Sequence, residues 1–269
     1  MKKGRLITTK DNPASFQQTP PITLLRIIKK LIKKIFIRSI METINFAISE
    51  LLNYFSQKKQ KNAFYCNLCK KESSYFLHTS NKKRILYDSI CPNCNSRKRH
   101  RGLFEVYKNI LKSWEKPKIL HFAPEPVFYS LFKLYDYVTA DISLTDVDLK
   151  LDIKDTNLGA KTFDLILCNH VLEHIDDDLK AINELERILK PLGRLILTVP
   201  GDWEREKIIK YKRPDGNGHY RDYGLELIKI LNKKFDEVNT LDLYEYNKLY
   251  RLPLGLTVKH DLAILCHKI

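Results

Sequence analysis

Residues 161–200, KTFDLILCNHVLEHIDDDLKAINELERILKPLGRLILTVP, admit few architectures. Phe163-Asp164-Leu165-Ile166-Leu167 is a short apolar run, the signature of a strand buried on both faces of a parallel sheet. From Asp176 to Leu189 the period changes. Leu179, Ile182, Leu185, Ile188 and Leu189 recur every three or four residues, and Asp176-Asp177-Asp178 supply caps and favourable charge at a helix N-terminus. Pro191 and Gly193 are expected to end that helix, and Arg194 to Val199 reads as a second buried strand. Between strand and helix sits Cys168-Asn169-His170-Val171-Leu172-Glu173-His174, dense polar chemistry where open α/β sheets place their ligands.

This strand, polar exit, helix, LKPLG turn and strand resemble the second half of a class I S-adenosylmethionine-dependent methyltransferase. The resemblance implies an α/β, Rossmann-like seven-stranded methyltransferase sheet with helices on both faces. It also implies S-adenosylmethionine as cofactor.

Upstream, Lys118 to Phe122 is the expected first strand and Tyr137 to Asp141 the second. Asp141 ends that strand 19 residues after Phe122, where a carboxylate can accept both ribose hydroxyls of an adenosine. The alternative is that Asp141 only caps the next turn. Val147 to Ile153 is the short third strand, and by resemblance Asp152 reaches the adenine amino group while Ile153 flanks the ring. Cys168, Asn169 and His170 would then stand beside the methionine end. The first loop departs from the family. His121 stands where the acid at the strand end is usual, Ala123 where the first glycine is, and the turn after Phe122 reads Ala123-Pro124-Glu125-Pro126-Val127. Either Glu125 supplies the missing carboxylate to the cofactor's ammonium, or the pocket is degenerate and does not bind.

Methyl transfer is an in-line displacement at an already activated carbon. The protein has to position the acceptor and, for a poor nucleophile, remove its proton. His170 and His174 are the candidate bases, with Glu173 as orienter; the other reading is that Glu173-His174 brace the next helix. The loop-like residues 201–224 would shape an acceptor pocket, with His219, Arg221 and Tyr223 as substrate contacts, or form a solvent loop. Phe235 to Leu243 and His260 to His267 are expected to close the sheet as an antiparallel pair.

Two further regions precede this domain (residues 102–269). Cys66-x2-Cys69 and Cys91-x2-Cys94 are separated by 21 residues, a spacing that suits four thiolates on a tetrahedral, structural zinc ion within a small segment, 63–101. A redox dithiol pair is the weaker alternative. The run Ser96-Arg97-Lys98-Arg99-His100-Arg101 reads as a phosphate site or, preferably, as a helix start with salt bridges to the catalytic domain. Residues 1–62 comprise a polar tail, a helix from Ile22 to about Phe55 and a polar linker. The helix alternates paired aliphatics with Arg26, Lys29-Lys30, Lys33-Lys34 and Arg38. Its apolar face is expected either to lie in an anionic membrane surface or to pack on the catalytic domain or a second subunit.

The net charge of +15 divides as +10 over residues 1–62, +8 over 63–117 and −3 over 118–269. A slightly acidic catalytic half argues against a nucleic-acid binder throughout, so RNA remains a less favoured acceptor. Six cysteines, four in tight pairs, are not a secreted disulfide scaffold, and neither a cleavable signal peptide nor a membrane span is evident. The expectation is a cytoplasmic protein, with peripheral contact at the inner membrane surface through residues 22–55 as one use of the helix. A methyltransferase acting on an unidentified acceptor (a small molecule, glycan or lipid-linked sugar) is the leading expectation. A non-catalytic binding protein on a degenerate scaffold is the alternative.

Overall fold

The computed structural model describes residues 21–57, 64–80, 85–243 and 262–269, with side chains of the first helix described at 33 and from 35 onward. The tail 1–20, most of the linker ending at 62, and His260 lie outside the described residues. A 37-residue helix, α1 (Pro21–Gln57), comes first. Two small hairpins follow: β1 (Phe64–Cys66) with β2 (Lys71–Ser73), and β3 (Leu77–Ser80) with β4 (Ile85–Ile90). Helix α2 (Lys98–Leu111) starts within the basic run, whose Lys98 to Arg101 form its first turn.

The main sheet contains β5 (Lys118–Phe122), β6 (Asp136–Asp141), β7 (Leu149–Lys150), β8 (Phe163–Asn169), β9 (Leu189–Thr198), β12 (Glu237–Asp242) and β13 (Leu262–His267), in the order β12-β13-β9-β8-β5-β6-β7. Five strands run parallel, and β13 pairs antiparallel with both β9 and β12. The chain leaves β5 towards β6 and β7, then returns to β8 on the other side of β5. That reversal is the topological switch point, where such sheets open a crevice at the carboxyl ends of the strands.

Alternation along β8 assigns the two layers. Ile166 and Cys168 face one core, with Ile182 and Leu185 of α4 (Asp178–Ile188) and Leu227 and Leu231 of α5 (Glu226–Leu231). Leu165 and Leu167 face the other, with Leu103 and Tyr107 of α2 and Phe128 and Phe132 of the short turn and helix α3 (Tyr129–Phe132). Between α5 and β9 lies a small pair, β10 (Ile209–Lys210) with β11 (Arg221–Asp222). Helix α4 is capped by Asp177, which accepts from the Lys180 amide at 3.0 Å. LKPLG is not a turn outside the sheet: Leu189 already pairs with Phe163, and the residues up to Arg194 bulge out before pairing resumes at Leu165.

Helix α1 is described through its side chains only in its second part. It sits on β3 and β4 through polar residues. The buried Asn53 exchanges hydrogen bonds with the His78 backbone (3.2 and 2.6 Å), and Ser56 lies 3.1 Å from His78 Nε2. Ile37, Met41, Ile44, Ile48, Leu51 and Phe55, a stripe at helical spacing, are exposed.

Candidate functional site

Parallel pairing of β5 with both β6 and β8 brings Phe122, Asp141 and Asn169 to one edge. Ala123 follows β5 with φ +47°, the left-handed region that the glycine usual at this place would adopt without strain, and its amide donates to Ala140 O at 2.9 Å. Beyond this edge lies a cleft of about 280 Å³. Of the residues expected around a cofactor, Phe122, Ala123, Asp141, Asp152 and Ile153 line it, together with His174 and Tyr220. Asp141 Oδ1 accepts from Ser143 N (2.7 Å), Ser143 Oγ (2.9 Å) and Leu144 N (2.8 Å), which shapes the loop after β6. Burial acts to raise its pKa, but the Leu144 and Ser143 donors outweigh that and hold it below the usual carboxylate range. Asp152 Oδ1 accepts from Lys154 N at 2.8 Å.

The other five expected cofactor residues do not line the cleft: His170 belongs to the neighbouring polar cluster, and four face elsewhere. His121 points to the opposite layer, fully buried between Phe128, Phe132 and Tyr137, with Nδ1 2.9 Å from the Tyr137 hydroxyl. A side chain on β5 alternates faces, so its neighbour Phe122 reaches the cleft and His121 cannot. Cys168 is buried in the α4 core, where burial raises its thiol pKa far above the ordinary value. Asn169 donates to Tyr107 Oη (2.7 Å) and Glu125 Oε2 (2.9 Å). Glu125 Oε1 lies 3.2 Å from Arg99 and 2.9 Å from His100 Nε2. Both oxygens of the carboxylate expected to meet an ammonium are thus engaged by protein donors, tying the first loop to α2. Burial would raise its pKa, but His100 and Arg99 hold it at about 2.

The polar exit of β8 forms a second cluster. His170 (φ +52°) places Nδ1 3.2 Å from Glu173 Oε1. Glu173 is 1% exposed, and its Oε2 has no hydrogen-bond partner. His174 Nδ1 lies 3.2 Å from Gly218 O, and its ring meets that of His219 edge-on at 4.9 Å between centroids. The loop that delivers His219 is fixed at both sides. Asp215 Oδ1 accepts from the amides of Asn217 and His219 (2.7 and 3.0 Å), and the Tyr220 amide donates to Glu173 O at 2.8 Å.

Two of the three expected substrate contacts are internal. Arg221, 3% exposed, pairs with Asp178 and donates to the carbonyls of Ile175 and Asp176 (2.6 and 2.5 Å). Tyr223, also buried, donates to Asp178 Oδ2 at 2.9 Å. They brace the start of α4 instead of facing an acceptor. Tyr220 and Lys154 were not singled out in the sequence; each becomes visible only when the loops close over the cleft.

The four cysteines converge. Cys66 and Cys94 sulfurs are 3.7 Å apart, Cys69 and Cys91 3.8 Å, and all four lie within 4.8 Å of one another. A tetrahedron with zinc–sulfur bonds of about 2.3 Å has edges of about 3.8 Å, so the donor set fits that ion. Ser96 Oγ reaches Cys66 (3.4 Å) and Cys94 (3.2 Å). Arg101, wholly buried, stacks 4.7 Å over Phe76 and donates to Ser96 O at 2.8 Å. Burial pulls its pKa down to about 10, opposed by its proximity to the four sulfurs.

Residues 134–197, from the approach to β6 through most of β9, match the family model described as a methyltransferase domain. An uncharacterized protein of Methanocaldococcus jannaschii is 33% identical over 135 residues, which cover 47% of this chain and 55% of that protein, so the chain spans little over half of the relative's length. Among solved structures, a S-adenosylmethionine-dependent methyltransferase from Archaeoglobus fulgidus is similar at 16% identity and TM-score 0.42, covering 61% of this chain and 94% of that one. A putative S-adenosylmethionine-dependent methyltransferase from Listeria monocytogenes is similar at 15% identity and TM-score 0.45, with 63% and 99% covered. The sheet order agrees with a Rossmann-like methyltransferase fold, and the matched segment is similar to a methyltransferase domain.

Proposed function

We propose that the chain transfers a methyl group from S-adenosylmethionine to an oxygen-bearing small molecule, glycan or lipid-linked sugar. The observation that carries this reading is the cleft at the switch point with Asp141 and Asp152 on its wall. Asp141 keeps Oδ2 for the ribose hydroxyls while Oδ1 holds its own loop. Asp152 and Ile153 hold the adenine, and the backbone at Ala123 borders the methionine end. Bound there, the cofactor supplies a methyl carbon activated by the adjacent sulfonium. His170, oriented through Nδ1 by Glu173, presents Nε2 to take a proton from the acceptor. Calorimetry with S-adenosylmethionine and with its demethylated product tests the reading. Saturable binding of both supports it; a folded protein that binds neither at millimolar concentration would instead be the non-catalytic scaffold.

The zinc segment supports this domain from outside, through the Arg99 and His100 contacts to Glu125. The same contacts favour the structural reading of the basic run over an RNA site. The exposed apolar stripe of α1 favours peripheral attachment to an anionic membrane surface, since no described segment covers it.

A further inference from the structure

Glu173, His174 and His219 each offer one ligand atom, these atoms lie within 4.8 Å of one another, and His174 also lines the cleft. Three features go beyond mere proximity. The Glu173 carboxylate is buried, yet Oε2 has no hydrogen-bond partner, which leaves a desolvated polar oxygen uncompensated. The Gly218 carbonyl can only accept, so His174 Nδ1 carries the hydrogen and the lone pair falls on Nε2. His219 is held against His174 by a built turn: Asp215 pins its amide, and Gly218, at φ +81°, turns the chain beside the His174 ring. Two rings meeting at 4.9 Å beside an orphan carboxylate oxygen make a two-nitrogen, one-oxygen donor set.

We propose that Glu173, His174 and His219 bind a divalent transition-metal ion of the zinc class, and that its remaining positions take hydroxyl oxygens of the methyl acceptor. Imidazole nitrogens and a carboxylate suit such an ion, and three protein ligands are the number that leaves room for a further one. His170 serves as the outer partner, holding Glu173 Oε1 while Oε2 faces the metal. The role in catalysis rests on the methyltransferase reading; the metal site does not. In that role the ion lowers the pKa of a bound acceptor hydroxyl, whose proton passes to His170 Nε2. The oxygen lone pair then forms the new O–CH3 bond. The S–CH3 bond breaks with its electron pair on sulfur, and the sulfonium becomes a neutral thioether.

The test uses the untagged full-length chain, dialysed against zinc and analysed for bound metal. Two equivalents are expected, one in the four-cysteine cluster and one here. His219→Ala, in a surface loop, and His174→Ala should each hold one. Wild type saturating at a single equivalent, or both variants keeping two, overturns the proposal. Cobalt separates the sites spectroscopically, because only the cysteine cluster yields thiolate charge-transfer bands. With cobalt bound, acetohydroxamate, a chelating oxygen donor, should shift the weaker visible bands in wild type and not in His219→Ala; no shift in wild type removes the open positions and with them the proposed acceptor contact. Calorimetry with S-adenosylmethionine on the same wild-type sample keeps the two readings apart. Cofactor binding with one zinc refutes the metal site alone, and two zinc ions without cofactor binding uphold the site while refuting the methyltransferase.

Discussion

Arg221 and Asp178 face each other inside the protein, where the guanidinium and carboxylate are paired with almost no access to water. Asp178 also accepts from Tyr223, and Arg221 from the same position satisfies two carbonyls ahead of α4. Removing one partner leaves the other buried and uncompensated, which costs about 3–5 kcal/mol. Arg221→Ala should therefore lower the urea midpoint by that equivalent, and Asp178→Ala by a similar amount. The double variant should be far from additive. Wild-type stability in Arg221→Ala would return this residue to the acceptor site.

The aromatic nest around His121 predicts an acid-sensitive fold. Burial pulls the His121 pKa down to about 4, with Glu125 opposing, against an ordinary value near 6.5. Below pH 6.5 the unfolded chain takes up a proton that the folded one refuses. The stabilisation is complete above pH 6.5 and declines as pH falls to about 4, by roughly 3 kcal/mol. His100, lowered by burial in spite of Glu125, acts in the same direction. Glu125 adds to it below its ordinary range, since its stabilisation is lost as pH falls towards 2. Denaturant melts from pH 7.5 to 4 measure the slope. His121→Phe should flatten it, and an unchanged slope would exclude His121 as its source.

The parts of this structure legible in the sequence are those with a local period. The buried run of β8 and the three-to-four spacing of α4 needed no distant information, and the two CxxC pairs carry their ligand geometry with them. Side-chain direction at the strand ends was harder. One residue of register decides whether His121 or Phe122 faces the cleft, and resemblance to a loop motif does not contain that alternation. Contacts between remote segments left no trace at all. Nothing near Arg221 announces Asp178, nothing near His219 announces His174, and Glu125 looked available until Arg99, His100 and Asn169 arrived from elsewhere. In α1 the stripe itself was plain. Which side it turned inward depended on His78, whose backbone selects Asn53.

If the four cysteines hold zinc, the metal carries the folding of the segment around it. Among the described residues, Cys66, Cys91 and Phe76 form its buried apolar core, too little to order two hairpins. Structural zinc contributes on the order of 10 kcal/mol. Cys66→Ser, or chelation, should therefore remove the thiolate-bound equivalent of metal and open residues 64–97 to limited proteolysis. The methyltransferase sheet should keep its own unfolding transition. A protease pattern identical with and without metal would refute the structural role.

Helix α1 should carry the protein to anionic vesicles. Ile44 and Ile48 lie in the middle of its exposed stripe, and burying each such side chain is worth about 1.5–3 kcal/mol. Ile44→Asp with Ile48→Asp should reduce co-sedimentation with phosphatidylserine-containing vesicles by more than about tenfold. Wild-type protein that stays in the supernatant at low salt would leave a protein partner as the occupant of the stripe.

Asp141 separates a working cofactor cleft from a relic of one. Its Oδ1 is committed to Ser143 and Leu144, so the loop after β6 and the ribose site share one carboxylate. Hydrogen bonds to a charged acceptor contribute about 1.5–3 kcal/mol, so Asp141→Ala should weaken S-adenosylmethionine binding by roughly 10- to 100-fold. Asp141→Asn keeps an oxygen for the loop amides but loses the charge, and should fall between the two. Asp152→Ala, on the adenine side, should weaken binding less, because it removes a single contact. Calorimetric titration of the three variants gives the ordering. Equal affinity in wild type and Asp141→Ala would mean that the adenosine does not lie along β6, and that Asp141 serves only its turn.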